Sequence, residues 1–64
     1  MTRWIIEVSH DGAIDIMRNG KAFAYDLDDY DEAFARIKKD KRYQKGDRVE
    51  MVDPDGYRRK ITSL

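Results

Sequence analysis

The spacing of apolar residues changes period twice along this chain, from two to about 3.6 and back to two. Residues 3 to 9 (Arg-Trp-Ile-Ile-Glu-Val-Ser) are rich in β-branched and aromatic side chains, and residues 13 to 18 (Ala-Ile-Asp-Ile-Met-Arg) alternate. Both patterns predict strands. His10-Asp11-Gly12 between them reads as a turn with glycine at the position that needs a positive φ. Asn19-Gly20 is a strong two-residue hairpin signal and leads into a third strand over residues 21 to 25 (Lys-Ala-Phe-Ala-Tyr). Opposed residues in a hairpin share a face. With Asn19-Gly20 as the loop, Ile16 opposes Phe23 and Ile14 opposes Tyr25. With a three-residue loop at His10-Asp11-Gly12, Val8 opposes Ile14 and Ile6 opposes Ile16. Trp4, Ile6, Val8, Ile14, Ile16, Phe23 and Tyr25 then form one apolar face. Shortening the first loop by one residue would set Val8 against Asp15 and scramble it.

Tyr30, Ala33, Phe34 and Ile37 fall at i, i+3, i+4 and i+7, one face of a helix. Asp29 and Glu32 have the spacing of a capping box, so a helix is expected from about residue 30 to 41, with its apolar side over the meander. Residues 48 to 53 and 57 to 62 read as a second hairpin around Pro54-Asp55-Gly56, since proline presets φ and glycine accepts the left-handed position. That register pairs Val49 with Ile61, Glu50 with Lys60 and Met51 with Arg59. The expected fold is α+β, in the order β-β-β-α-β-β, as a single domain over residues 1 to 64. Whether the second hairpin extends the first sheet cannot be read from local pattern.

The chain is 64 residues long and has no cysteine, which excludes disulfides and thiolate metal sites. A domain this small buries only roughly 60% of its unfolded surface, so a second copy or a partner is a natural source of further stability. The start, Met1-Thr2-Arg3-Trp4, lacks the pattern of a secretion signal, and no apolar run is long enough to span a bilayer. The expectation is a cytoplasmic protein (bacterial, or in the host cytoplasm if viral) with no membrane partner. Net charge is zero, yet residues 1 to 35 carry three bases against eight acids and residues 36 to 64 carry ten bases against five acids, giving −5 and +5.

Catalytic chemistry is sparse. His10 is the only histidine. Its neighbour Ser9 would point to the opposite side of a strand, and no nucleophile elbow, phosphate loop or zinc-binding helix motif is present. The acidic run Asp26 to Glu32 fails the calcium-loop pattern, because the fifth, sixth and twelfth positions are Tyr30, Asp31 and Ile37. These acids suit a helix N-terminus, as Lys38, Lys39, Lys41 and Arg42 suit its C-terminus. No catalytic residue, metal site or cofactor is expected.

Two surfaces remain. Ile5, Met17 and Ala22 should neighbour one another on the outer face of the meander, beside Glu7 and Asp15, as an apolar cluster rimmed by acids. They are the candidate protein-interaction residues, toward a partner or toward self-association, and an exposed sheet edge could add strand pairing. Arg48, Arg58 and Lys60 should share the outer face of the second hairpin, with Lys38, Lys39, Lys41, Arg42 and Lys45 extending the patch. They are the candidate nucleic-acid-binding residues, although a net charge of zero is far from the balance of a typical binder. Among the aromatics, Tyr43 and Tyr57 are the freest to stack on bases.

The stretch from Trp4 to about Ile37, with Gly12, Asn19-Gly20, Phe23, the acids and Ala33 opening a helix, resembles the three-strand-plus-helix arm-binding domains of phage integrases. It also resembles short bacterial and phage domains that add two strands after the helix. The first resemblance implies DNA gripped through the sheet. This chain departs from it where bases would stand on the sheet, having Glu7 and Asp15 instead, and no functional residue carries over. The reading that follows is a small non-enzymatic protein-interaction or regulatory module of phage-like type. A nucleic-acid-binding accessory protein is the alternative.

Overall fold

A computed structural model describes residues 2 to 61. Five strands form one open sheet: β1 (Arg3–Val8), β2 (Ile14–Arg18), β3 (Lys21–Leu27), β4 (Arg48–Val52) and β5 (Arg58–Ile61), with one helix, α1 (Tyr30–Lys39), between β3 and β4. The spatial order is β3-β2-β1-β4-β5. The second hairpin therefore joins the first sheet, with β4 running parallel to β1. The expected strand over residues 57 to 62 holds to Ile61; Thr62 lies outside the described residues.

The meander forms as its turns dictate. Asn19 (φ 50) and Gly20 (φ 81) both take positive φ, the geometry that matches a tight hairpin turn to strand twist. The Asn19 side chain also accepts the Arg3 N–H at 2.9 Å, while the Asn19 N–H donates to the Arg3 carbonyl at 2.8 Å, tying the turn to the start of β1. Val8 opposes Ile14 and Ile6 opposes Ile16, as the three-residue first loop requires. In the second hairpin Val49 opposes Ile61, Glu50 opposes Lys60 and Met51 opposes Arg59, again as expected.

β3 departs from its expected register. Met17 opposes Ala22, but Ile16 opposes Ala24 and Ile14 opposes Leu27, so the strand slips by one residue twice. The first slip makes Phe23 the extra residue, still packed on the core. The second is associated with Asp26, which sits at φ 55 and donates its N–H to Asp15 Oδ1 at 3.1 Å. Tyr25 is therefore not a core residue: it is 62% exposed, and Leu27 is buried opposite Ile14 in its place.

The core is Trp4, Ile6, Ile14, Ile16, Leu27, Ala33, Ile37 and Val49. Phe23 meets Trp4 edge to face at a centroid distance of 5.0 Å, a favoured aromatic geometry. The buried indole N–H is satisfied by Asp47 Oδ2 at 3.2 Å. Asp47 also accepts the Thr2 and Gln44 N–H groups, joining the N-terminus to the loop that leads into β4.

The helix starts where the capping box predicts. Asp29 accepts the Glu32 N–H at 2.8 Å, and Glu32 reaches back to the Asp28 N–H at 3.2 Å. It ends at Lys39, two residues before the expected stop, because Asp40 turns to extended φ and ψ while its N–H bonds the Ile37 carbonyl. Ala33 and Ile37 are buried and Phe34 packs on the core. Tyr30 differs from expectation: in the first turn of the helix, it stays 43% exposed.

Candidate interaction surface

Residues alternate sides along a strand, so the buried positions of β1, β2 and β4 fix which of their neighbours face the other way. The helix lies against β2 and β3 on the core side. Among the described residues no helix or strand covers the opposite face. The registers arrange that open face in rows. The middle row crosses all five strands as Ala22, Met17, Ile5, Glu50 and Lys60. Arg3 and Arg48 pair toward one end of the strands. Toward the other end stand Asp15, Glu7, Val52 and Arg58.

Ile5, Met17 and Ala22 are thus adjacent, as the sequence predicts. Ile5 and Met17 are half-buried by their neighbours on the sheet, and Ala22 is exposed. Val52, half-buried beside Glu7, belongs to the same face. It could not be found from the sequence, because its place depends on the parallel pairing of β1 with β4, which no turn announces.

The charges on this face are partly paired. Glu50 accepts from Arg3 Nε at 3.2 Å and faces Arg58 Nη1 at 3.7 Å. One carboxylate between two exposed guanidiniums leaves a surplus of positive charge, to which Arg48 and Lys60 add. Arg48, Arg58 and Lys60 do share one face. Lys38 lies on α1 and Arg42 lies over the core-side Phe23 ring, so the sheet separates these two from that patch, while Lys41 lies in the turn after the helix. Arg42 is further engaged, bonded through Nε and Nη2 to Asp40 at 2.9 Å each and lying 5.8 Å from the centre of the Phe23 ring. This holds the Asp40 carboxyl down to about 2. Tyr43 packs beside Trp4 at 6.4 Å, whereas Tyr57 is 75% exposed.

The sheet edges are poor templates for strand pairing. β3 is broken by its two slips, and β5 has four residues that include Arg58, Arg59 and Lys60. Bulges, short length and positive charge all discourage an incoming strand.

Among the described residues, two further concavities lie elsewhere. Beside the start of the helix, a groove of about 530 Å³ is lined by Tyr30, Met51, Asp53, Tyr57, Arg58 and Arg59. A smaller notch of about 280 Å³ gathers Asp11, Asp26 and Asp28. Asp11 is occupied by its own turn, accepting from the Ser9 hydroxyl and the Ala13 N–H. These bonds lower its pKa, the hydroxyl contributing most. The Ser9 hydroxyl is thereby directed at Asp11 rather than at His10. Among the described residues no three metal-ligating side chains come together, and no helix is long and apolar enough to cross a membrane. No family model matches the chain, and no curated protein or solved structure is matched by it.

Proposed function

We propose that this chain is a small protein-interaction module that binds through the open face of its sheet. The observation that carries the reading is the uncovered row of Ala22, Met17 and Ile5, with Val52 beside it, between charged ends. Apolar side chains gathered on an uncovered face gain by being removed from water against a partner. The reading is tested by presenting the wild-type chain and Met17→Asp as bait to a host extract. The wild type should retain a specific protein, and Met17→Asp should lose it with an unchanged far-ultraviolet circular dichroism spectrum. Equal retention by both forms would contradict the reading.

A second reading draws on the same face. Arg3, Arg48, Arg58 and Lys60 surround a single carboxylate there, an arrangement suited to phosphates. Binding of that kind weakens steeply with added salt. Arg58→Glu combined with Lys60→Glu should then remove binding to short duplex or single-stranded DNA; unchanged binding would count against it.

A further inference from the structure

We propose that the open face is self-complementary and docks on a second copy of this chain, an inference that rests on the protein-binding reading above and names its partner. The net charge is zero, but along the strand direction the open face is graded. Arg3 and Arg48 stand at one end; at the other, Glu7 and Asp15 stand on β1 and β2, with Val52 and Arg58 continuing that row on β4 and β5; the apolar row of Ala22, Met17 and Ile5 lies between. Successive residues on one face are about 7 Å apart along a strand. A two-fold axis laid along the apolar row, midway between two facing sheets, sets that row against itself. The same rotation brings Glu7 of each copy over Arg3 of the other, with Arg48 one strand to the side. At the β4–β5 end of the row Glu50 and Lys60 also lie on the axis, so each faces its own copy, with the oppositely charged neighbour on the diagonal; this end of the row contributes little to the attraction. One patch meeting its own image in this way is the form of a two-fold interface.

Of the charges needed, Arg3 is shared with Glu50 of its own chain, while Glu7 and Arg48 are available. Among the described residues, neither Glu7 nor Arg48 makes an ion pair within the chain. The alternative route to a dimer, strand pairing at an edge, is discouraged by the two slips in β3 and the basic β5. The face is small: four or five strands at about 4.8 Å spacing give on the order of 400 Å² per copy. That is about half of the roughly 800 Å² per partner of a standard interface. The dimer is accordingly weak and forms only at high concentration.

Sedimentation equilibrium of the pure chain over roughly a hundredfold range of concentration, up to about 1 mM, reads this directly. The wild type should pass from monomer to dimer. Glu7→Lys and Arg48→Glu, both at exposed positions, should each weaken dimerisation about tenfold or more through like-charge contacts. Mixed in equal amounts they should recover it, since each restores the opposite charge to the other. A wild type that stays monomeric throughout overturns the proposal, as does a dimer indifferent to both substitutions, or a pair of weakened variants that mixing does not rescue. Failure here is separable from failure of the broader reading. A monomeric wild type whose Met17→Asp form loses a different protein removes the second copy and keeps the open face as a binding surface.

Discussion

Phe23, Tyr25 and Asp26 decide what the third strand contributes to the core. A two-residue turn at Asn19-Gly20 aligns Met17 with Ala22, and continued pairing would put Tyr25 against Ile14. Two one-residue slips intervene, and because each shifts the phase by one, together they restore it. Phe23 stays inside, Tyr25 goes out, and Leu27 reaches the place opposite Ile14. Asp26 accommodates this because a short polar side chain tolerates positive φ better than a branched one. Truncation separates the two aromatic residues. Phe23→Ala should cost about 2–4 kcal/mol in urea unfolding, whereas Tyr25→Ala should change stability by less than about 0.5 kcal/mol. Comparable losses at both sites would mean that the regular register is the true one. The alternation of apolar residues was legible here, but the slips were not. A turn dipeptide announces a hairpin, while a bulge inside a strand depends on which amide finds a side-chain acceptor, here Asp26 on Asp15.

At the scale of elements, the pieces defined by local chemistry follow the sequence most closely. The Asp29 cap and its reciprocal Glu32 contact place the helix start correctly. The helix end shifts because Asp40 leaves helical geometry and gathers Arg42, so the last basic residues lie in a following loop. Asp29→Ala should lower stability by about 1 kcal/mol, read as a shift in the unfolding midpoint with an unchanged slope. Asp29→Asn should keep most of the loss from appearing, and a full-sized loss in that variant would argue against a capping role. The parallel pairing of β1 with β4 lay beyond local reading, since the two strands are joined by two strands and a helix rather than by a turn. That pairing is what makes β1 central, buries Trp4 against Val49, and brings Val52 and Glu50 onto the face that already held Ile5.

At the scale of the whole molecule, structural carboxylates set the response to acid, and the open face is the surface proposed for a partner. Asp47 is held below the ordinary carboxylate range, first by the Gln44 N–H and then by the Trp4 indole and the Thr2 N–H. Asp11 and Asp40 are lowered by their own turns. A carboxylate with a depressed folded-state pKa contributes stability above its unfolded value near 4 and loses that contribution as pH falls through the folded value. The unfolding temperature should therefore be flat from neutral pH to about 5 and fall between about pH 4 and 2. A fall beginning near neutrality would contradict this assignment. The candidate contact residues Ile5, Met17 and Ala22 were legible because hairpin registers alone align them. The basic residues were only half legible: their number and position near the helix end and in the hairpin can be counted, but not that a sheet divides them. The central claim is that one face of this sheet is core and the other is open, and neighbouring residues on β2 test it most directly. Thermal unfolding of Met17→Asp should stay close to wild type, while Ile16→Asp, one residue away and fully buried, should abolish the cooperative transition. If Met17→Asp unfolds the domain as Ile16→Asp does, the face assigned to partners is part of the core and the account fails.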